Sequence, residues 1–511
     1  MQRFASLAAF FYLLSLVAYI KSRLMAEGDK PKDKFLRIFF YGISFISAVL
    51  AMKTKENAFT LPLIITLYEF CFFTPPQDAL SSERRLFRQQ RLKYLLPVLL
   101  TMSIIPLTLM FQSGTVSPPP ESYSNKFTGT EYRLTQLRVI VTYLRLLFYP
   151  ANQNFFYEYP VFHSFHEPAV ALSFLFLAGL FGIAVFLIIR NKQAGSTVHR
   201  LIGFGMLWFF VTLSVESVIP LWMLINEYRV YLPSVGIFLA AVSGLYLASA
   251  RNRRLTFFLL SLVIMSLSLA AHFRNELYRN KIALWEDTVR KSPGIAAAHN
   301  TLGKAYMEHN MPKQALEQFL VAVKLRPALE MAHNNLGNAY MALSMADKAE
   351  GEYLTAIRLK PDYADAHNNL GVYYLNRDKP AKAVEQFLLA IKLKPDFAEV
   401  YNNLGVYYFN HGEPAKAVGQ FLPAIKLKPD FAEVHNNLGN SYRALNMHKE
   451  AFRQYIMAVR LKPDYAEAHL NLGVIFYQAG RRENARKEFE EVLKLQPDNM
   501  PAKQLLAKVS S

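Results

Sequence analysis

Residues 367–395 read HNNLGVYYLNRDKPAKAVEQFLLAIKLKP, and this stretch decides the fold of the second half of the chain. Its last residue belongs to a series of prolines that lie 34 residues apart, and a series of glycines keeps the same period: Pro293, Pro327, Pro361, Pro395, Pro429, Pro463, Pro497; Gly303, Gly337, Gly371, Gly405, Gly439, Gly473. Small Gly and Ala let two helices approach closely, and Pro ends each unit because it cannot extend a helix. The period therefore predicts a solenoid of stacked helical hairpins.

A 34-residue period with two helical patterns per unit is typical of the tetratricopeptide repeat (TPR). The diagnostic positions of the quoted repeat are filled as this repeat requires, by Leu370, Gly371, Tyr374, Ala383, Phe387, Ala390 and Pro395. Six full repeats follow a half-repeat that carries Trp285. We expect residues 273–496 to form the solenoid and residues 497–511 to form a capping helix over its last apolar face.

Two asparagines follow the histidine of most repeats, although Asn is a poor helix former. At 100° per residue, Leu370 and Gly371 face the core and Asn369 points roughly 150° away from it. We therefore expect the asparagine at this position in the last five repeats to lie exposed on the inner surface of the solenoid: Asn335, Asn369, Asn403, Asn437 and Asn471. Thr301 occupies the position in the first repeat. A carboxamide carries donors and an acceptor, so such a row can pair with the backbone of an extended polypeptide. The alternative is a solvated face without a ligand.

The asparagine row resembles the asparagine ladder in the TPR superhelix of O-GlcNAc transferase, and this resemblance covers the repeats alone.

The repeated histidines occupy the large, core-facing position, where Tyr401 replaces one of them: His299, His333, His367, His435 and His469. We interpret them as packing residues and predict no metal site. The one cysteine, Cys71, excludes a disulfide framework or a Cys-based metal site within one chain.

The chain has 511 residues, of which 52% are hydrophobic, and a formal net charge of +18. Residues 1–272 hold 25 Lys and Arg against 13 Asp and Glu, so most of the positive excess lies in the apolar half. A nucleic-acid binder is expected to carry its positive charge on a soluble domain, so we predict no nucleic-acid partner.

Eight apolar runs approach spanning length: 4–20, 38–52, 58–74, 94–111, 168–189, 201–215, 231–249 and 255–272. The predicted fold is all-α, with a polytopic transmembrane bundle of about eight spans before the α-solenoid.

Alternate loops of this bundle are rich in Lys and Arg, namely residues 21–37, 84–93, 190–200 and 251–254, whereas 53–57, 112–167 and 216–230 are poor. Basic loops face the cytoplasm, so the repeats should lie on the opposite side. The first run shows no cleavage pattern and is interpreted as a retained span. Residues 136–149 are interpreted as an interfacial or re-entrant helix, because Thr135, Arg138, Thr142, Arg145 and Tyr149 form one polar stripe. The alternative is a ninth span.

Three stretches on the predicted outer side carry a further resemblance: TKENAFTLPL (54–63), EYRLTQLRVIVTYLRLLFYPANQNFFYEYP (131–160) and NEYRVYLPSVG (226–236). Together with the repeats they resemble the TPR-containing glycosyltransferases of the C-type fold. The eukaryotic relatives are the transmembrane-and-TPR O-mannosyltransferases, and many homologues are bacterial. The resemblance covers essentially the whole chain. It implies sugar transfer from a polyprenyl-phosphate-linked donor to a polypeptide, with the repeats in the periplasm and the bundle in a bacterial inner membrane.

Such a reaction needs a cation for the donor phosphate, and Lys55 and Arg229 are candidates on the predicted outer side. It also needs a carboxylate as general base, for which Glu56, Glu158 and Glu227 are candidates. Charge near membrane depth tends to mark function. The alternative is that these charged residues form structural ion pairs at span ends.

The chain departs from the family pattern in two places. The family's essential acidic residue lies in a first outer loop that precedes the stretch QRFASLAAFFYLLSL, which here begins at Gln2, so we expect that loop to be missing. Residues 156–160 read FYEYP where relatives carry DYDYP. The second hypothesis is therefore a non-catalytic envelope assembly scaffold with a degenerate membrane domain. A transporter is disfavoured, because no inverted repeat is apparent.

Overall fold

The computed structural model describes residues 2–25, 31–54, 56–73, 80–106, 127–194, 196–218, 224–249 and 251–510. Within these ranges all regular structure is helical and there is no β-strand. The chain forms two compact units, Met1–Ala297 and Ala298–Ser511. The boundary that we predicted near residue 272 lies inside the helix Arg253–Arg279. The helix of the half-repeat, Lys281–Lys291, follows after Asn280 and belongs to the first unit.

The first unit contains ten described α-helices: Gln2–Leu24, Pro31–Thr54, Leu61–Phe72, Ser81–Leu100, Gly129–Phe148, Pro168–Ala194, Thr197–Val218, Tyr231–Ala248, Arg253–Arg279 and Lys281–Lys291. Short 3-10 helices lie at Glu56–Thr60, Thr101–Ser103 and Glu227–Val230. Six helices in the described part are long and apolar enough to cross a membrane: Leu7–Leu24, Lys32–Thr54, Pro168–Asn191, Thr197–Val215, Tyr231–Ala248 and Arg253–Arg279.

The predicted count of about eight spans is not confirmed. The run 58–74 forms the α-helix Leu61–Phe72, whose 12 residues are too short for a hydrocarbon core about 30 Å thick. The run 94–111 begins in the helix Ser81–Leu100, whose first turns are highly charged and which contains Pro97. Residues 107–111 of that run lie outside the described part of the chain.

The predicted interfacial segment lies in the helix Gly129–Phe148, which packs through Val139 and Tyr143 onto a cluster that includes Phe209 and Leu213. Its polar stripe differs from the expectation, because Thr135 is fully buried and its Oγ1 accepts the backbone N–H of Phe162 at 3.0 Å. A threonine can be buried in this way because its hydroxyl finds a backbone partner.

The second unit is a stack of antiparallel helix pairs. The first helices of the six repeats are Ala296–Glu308, Glu330–Ala342, Ala364–Asn376, Ala398–Asn410, Ala432–Ala444 and Ala466–Gln478. The second helices are Pro312–Leu325, Ala346–Leu359, Pro380–Leu393, Pro414–Leu427, His448–Leu461 and Arg482–Leu495. Below, these are called helix A and helix B of each repeat. The helix Met500–Ser510 follows, and its Ala502 and Val509 bury themselves against the last repeat.

Each pair is held together by a glycine of helix A and an aromatic ring of helix B. In the third repeat, a Cβ on Gly371 would stand 2.6 Å from Cε1 of Phe387, which is fully buried. The same contact recurs in the other repeats, with Phe319, Tyr353, Phe421, Tyr455 and Phe489 as the rings. The predicted solenoid of closely packed hairpins is therefore confirmed.

Candidate functional site

The asparagines of helix A form a ladder that crosses every interface between neighbouring repeats. The second asparagine of one repeat donates Nδ2–H to Oδ1 of the first asparagine of the preceding repeat. The pairs are Asn335 to Asn300 at 2.9 Å, Asn369 to Asn334 at 2.9 Å, Asn403 to Asn368 at 2.9 Å, Asn437 to Asn402 at 3.1 Å and Asn471 to Asn436 at 3.0 Å.

This arrangement differs from the expected free, exposed row. Asn335, Asn369, Asn403 and Asn437 are half-buried, and Asn471 is buried. Most of the first asparagines are buried as well, so each ladder bond lies at the edge of the core. The physical reason is that stacking brings helix A of the preceding repeat against this face, which the helical wheel of a single repeat does not include.

The ladder leaves chemistry available on the same face. A primary amide has two N–H hydrogens and a carbonyl oxygen, and each ladder bond uses one hydrogen of the second asparagine. The half-buried side chains can therefore still offer an acceptor and a donor to a ligand. They recur at intervals of 34 residues, one per repeat, which is the arrangement that an extended chain can follow.

Acidic residues accompany the row in the last four repeats, four residues before each second asparagine: Asp365, Glu399, Glu433 and Glu467. Residues four apart share a helix face. Glu399 and Glu433 pair with Lys428 and Lys462 at 3.2 and 3.0 Å, and Glu467 accepts Nδ2–H of Asn436 at 2.9 Å.

The histidines are buried, as the packing interpretation predicts, and they tie helix A to helix B. His367 Nδ1 lies 2.7 Å from Gln386 Oε1, and its Nε2 lies 3.1 Å from the carbonyl oxygen of Pro361. In the second and sixth repeats a glutamate replaces the glutamine: His333 faces Glu352 and His469 faces Glu488, both at 2.6 Å. These two carboxylates raise the pKa of the histidines that they contact.

Glu158, one of the predicted bases, lies at the junction between the segment that follows the helix Gly129–Phe148 and the end of the half-repeat. Its Oε2 accepts the backbone N–H of Gly294 at 3.0 Å, and its own backbone N–H donates to Ser292 Oγ at 3.0 Å. Ser292 Oγ also accepts Asn154 Nδ2–H at 2.7 Å, and Phe155 packs edge-on against Trp285. Glu158 is thus engaged in structural contacts within the first unit.

The remaining predicted residues are not brought together by any contact between described atoms. Arg229 is buried, with Nη1 directed at the carbonyl oxygen of Leu224 at 3.4 Å. Glu56 and Glu227 lie in 3-10 helices and their side chains are outside the described part, as is the whole of Lys55. Ser292 and Asn154 were missed from the sequence, since no motif marks a serine and an asparagine that are 138 residues apart.

Three stretches of the second unit match sequence models of known repeats. Tetratricopeptide repeat family models match residues 334–398 and 466–499, and a further TPR repeat model matches residues 439–480. The chain therefore carries TPR repeats, which suggest a role in binding peptide or protein. No curated protein matches the chain in sequence. The resemblance of the first unit to C-type glycosyltransferases stays a prediction.

Among solved structures, the chain is similar to YrrB, a TPR protein with an unusual peptide-binding site. The identity is 23%, the match covers 38% of this chain and 98% of that one, and the TM-score is 0.32. PilF of Pseudomonas aeruginosa is 20% identical over 42% of this chain and 97% of its own, with a TM-score of 0.39. The first TPR domain of Spaghetti (RPAP3), bound to an HSP90 peptide, is 27% identical over 22% and 90%, with a TM-score of 0.22.

Proposed function

We propose that this protein is anchored in a membrane by its first unit and binds an extended polypeptide along the asparagine row of its TPR unit, outside the cytoplasm. The observation that supports peptide binding is the row itself, with one half-buried carboxamide per repeat on one face of four successive A helices. Amides pair with peptide N–H and C=O groups, which every polypeptide carries at regular spacing. Such binding recognises the peptide backbone of the ligand and therefore accepts polypeptides of many sequences.

The membrane anchor is supported by the six long apolar helices and by the distribution of basic residues. Lys21 and Arg23 end the first helix, and further basic residues surround the turns after Pro168–Ala194 and Tyr231–Ala248. Basic ends remain on the cytoplasmic side. In this proposal the helix Arg253–Arg279 leaves that side, and the repeats lie in the periplasm of a bacterial cell.

Two variants that break the same hydrogen bond provide the test of peptide binding. Asn369→Ala and Asn334→Ala both remove the 2.9 Å ladder bond, but only Asn369→Ala removes an amide from the half-exposed row, because Asn334 is 4% exposed. Binding of a fluorescein-labelled 16-residue Ser/Gly/Lys peptide to the full-length protein in detergent is measured by anisotropy. We expect Asn369→Ala to weaken binding several-fold more than Asn334→Ala.

Gln314→Ala is the matched control, because Gln314 is an exposed amide on a B helix. It should leave the affinity unchanged. Equal losses of peptide affinity for Asn369→Ala and Asn334→Ala would show that the asparagine row affects binding only through the stability of the TPR unit. That result would overturn the proposed contact surface.

A second candidate function is sugar transfer from a polyprenyl-phosphate-linked donor to the bound polypeptide. The observation that favours it is an apolar cavity of about 540 Å³, lined by residues that include Leu144, Phe148, Phe176 and Ile237, with Arg145 as its charged member. An apolar cavity of this size suits part of an isoprenoid chain, and the guanidinium suits its phosphate. Glu56, Glu158 and Glu227 stay candidate bases for this reaction, and Lys55 and Arg229 stay candidate cations.

The test of this second function is transfer of radiolabelled sugar from the lipid-linked donor to a peptide by the purified protein. Leu144→Trp, which fills the cavity, should abolish transfer and leave peptide binding intact. Absence of transfer by the wild-type protein, with peptide binding retained, would overturn the enzymatic candidate and favour the non-catalytic scaffold.

A further inference from the structure

Three arginines from three different helices meet at the C-terminal end of the helix Leu61–Phe72. Arg23 contacts the carboxylate of Glu69, with Nη2 at 3.3 Å from Oε2. Arg91 Nη2 donates to the carbonyl oxygens of Glu69 and Phe73, at 3.4 Å to the first. Arg200 Nη1 donates to the carbonyl oxygen of Cys71 at 3.2 Å. The helix end therefore has three guanidinium groups around it.

The charges in this arginine cluster (Arg23, Arg91 and Arg200) do not balance. Glu69 is the only carboxylate that the described contacts assign to it, and it is completely buried and also accepts Tyr19 O–H at 2.8 Å. The carbonyl groups of a helix end contribute about half a negative charge. Among the described residues, three cations therefore face about one and a half negative charges, which is an excess of positive charge.

The guanidinium groups also hold buried donors without a full hydrogen bond. Nε of Arg200 is buried, and no described residue supplies a hydrogen-bond acceptor to it. Nε of Arg91 is also buried, and its nearest carboxylate oxygen, Glu69 Oε2, lies 3.6 Å away, beyond hydrogen-bond distance. Leaving a buried N–H unpaired is unfavourable, because the group has lost its hydrogen bonds to water. A tetrahedral anion would satisfy such donors, because its oxygens match the fork of an arginine.

The surroundings indicate where that anion comes from. The helix Ser81–Leu100, which carries Arg91, exposes Leu86, Leu92 and Leu96 together with basic residues: Arg84, Arg85, Arg88 and Lys93. A helix that presents leucines and several cations to its surroundings is typical of the interface of an anionic membrane. Aromatic rings cover the other faces of the guanidinium groups, with Phe73 at 4.8 Å from Arg23 and Phe70 at 4.7 Å from Arg91.

We propose that the arginine cluster binds the phosphate of an acidic phospholipid headgroup from the cytoplasmic leaflet, through Arg91 and Arg200. The leucines of the helix Ser81–Leu100 lie among the acyl chains, and its exposed cations face neighbouring headgroups. The proposal depends on the membrane location proposed above but not on peptide binding. The two are measured separately, so their failures are distinguishable.

The experiment measures retention of dioctanoyl phosphatidylglycerol by the full-length protein in detergent, using native mass spectrometry. Arg91→Gln and Arg200→Gln should each weaken retention about tenfold, the effect of losing a charge-assisted hydrogen bond. Arg453→Gln is the control, since it removes an exposed charge from a helix of the TPR unit, and it should change retention less than twofold. Equal losses in all three variants would overturn the site.

Two further arms separate the alternatives. Inorganic phosphate at the same concentration should not displace the lipid, and full displacement would mean that the cluster takes a free anion and would overturn the headgroup assignment. Glu69→Gln removes the carboxylate that Arg23 and Arg91 face, and it should tighten lipid retention. A gain of this kind cannot arise from misfolding, whereas weaker retention would show that the cluster only caps the helix.

Discussion

Asn369 donates its Nδ2–H to Oδ1 of Asn334, 35 residues earlier and in the neighbouring repeat, at 2.9 Å. The spacing is one residue longer than the repeat, so the bond always joins unlike positions of two A helices. Five such bonds join the six repeats. The ladder therefore contributes to the interfaces that hold a solenoid together, because its stability is a sum of repeat and nearest-neighbour contributions.

The first prediction concerns the stability of one ladder bond. Asn403→Ala leaves Oδ1 of Asn368, a largely buried side chain, without its donor and should destabilise the interface by about 1–3 kcal/mol. Asn368→Ala should cost a similar amount, and the double variant should cost less than the sum of the two. Hydrogen exchange of the two A helices in the full-length protein measures these free energies. Strictly additive costs would mean that the two amides do not interact.

The second prediction contrasts two glycines. Gly371→Ala places a methyl group 2.6 Å from a ring carbon of Phe387 and should destabilise the third repeat by about 1–3 kcal/mol. Gly351→Ala is the control, since Gly351 lies in a B helix with no atom within 4 Å of the added carbon. It should stabilise its helix by roughly 0.5–1 kcal/mol. Thermal unfolding of the full-length variants should shift in opposite directions, and a shared direction would contradict the packing.

The third prediction concerns the turn between helix A and helix B, which has a residue at positive φ in every repeat: Asn310, Ser344, Asp378, Gly412, Asn446 and Gly480. Ser344 has φ +59° and Gly412 has φ +73°. A side chain in this conformation costs about 1 kcal/mol, and glycine avoids that cost. Ser344→Gly should stabilise its repeat and Gly412→Ser should destabilise its own, as measured by hydrogen exchange. A destabilising Ser344→Gly would be the contrary result.

The fourth prediction is a pH dependence of two repeats. Glu352 and Glu488 raise the pKa of His333 and His469 above the ordinary value of 6.5. A raised pKa in the folded state means that the stabilisation is complete below about pH 6.5 and is lost as the pH rises through the folded value. We expect the second and sixth repeats to open more readily at pH 8.5 than at pH 6, by roughly 1 kcal/mol or less because the pairs are partly solvated.

Two amino-acid substitutions provide the control for this pH effect. Glu352→Gln should remove the pH dependence from the second repeat, and Gln386→Glu should introduce it beside His367 in the third. Hydrogen exchange at the two pH values measures both. If Gln386→Glu introduces no pH dependence, the carboxylate is not its origin.

The fifth prediction concerns the contacts of the half-repeat. Ser292→Ala removes the acceptor of Asn154 Nδ2–H and of the Glu158 backbone N–H, and should destabilise this junction by about 1–3 kcal/mol. Proteolysis within residues 150–160 should become faster. Ser261→Ala is the control, because Ser261 is exposed and its hydroxyl only reaches Phe257 O in its own helix. Similar proteolysis in both variants would count against a structural role for Ser292.

The internal packing of the TPR unit follows from the sequence alone. The spacing of Gly371, Phe387 and Pro395 predicted the hairpin and its internal contact correctly, because those contacts lie within one repeat. The hydrogen bond of Asn369 was not predictable in the same way, since its partner, Asn334, belongs to another repeat. A helical wheel shows one helix in isolation, and it leaves out the surface that the neighbour covers.

In the first unit, too, contacts between residues far apart in the chain were not predictable from the sequence. Apolar composition indicated spanning helices, yet the α-helix Leu61–Phe72 within the run 58–74 is too short to span. The contact between the predicted base Glu158 and the backbone N–H of Gly294 was not predictable from residue spacing. The sequence by itself determined the repeat period, the internal packing of each hairpin and the apolar character of the first half, since these depend on residue size and hydropathy at fixed spacing. Only the tertiary structure decided the asparagine ladder, the Ser292 junction and the arginine cluster. Each of these joins residues that lie far apart in the chain or in different repeats, and their relative placement is set by the packing of the folded units.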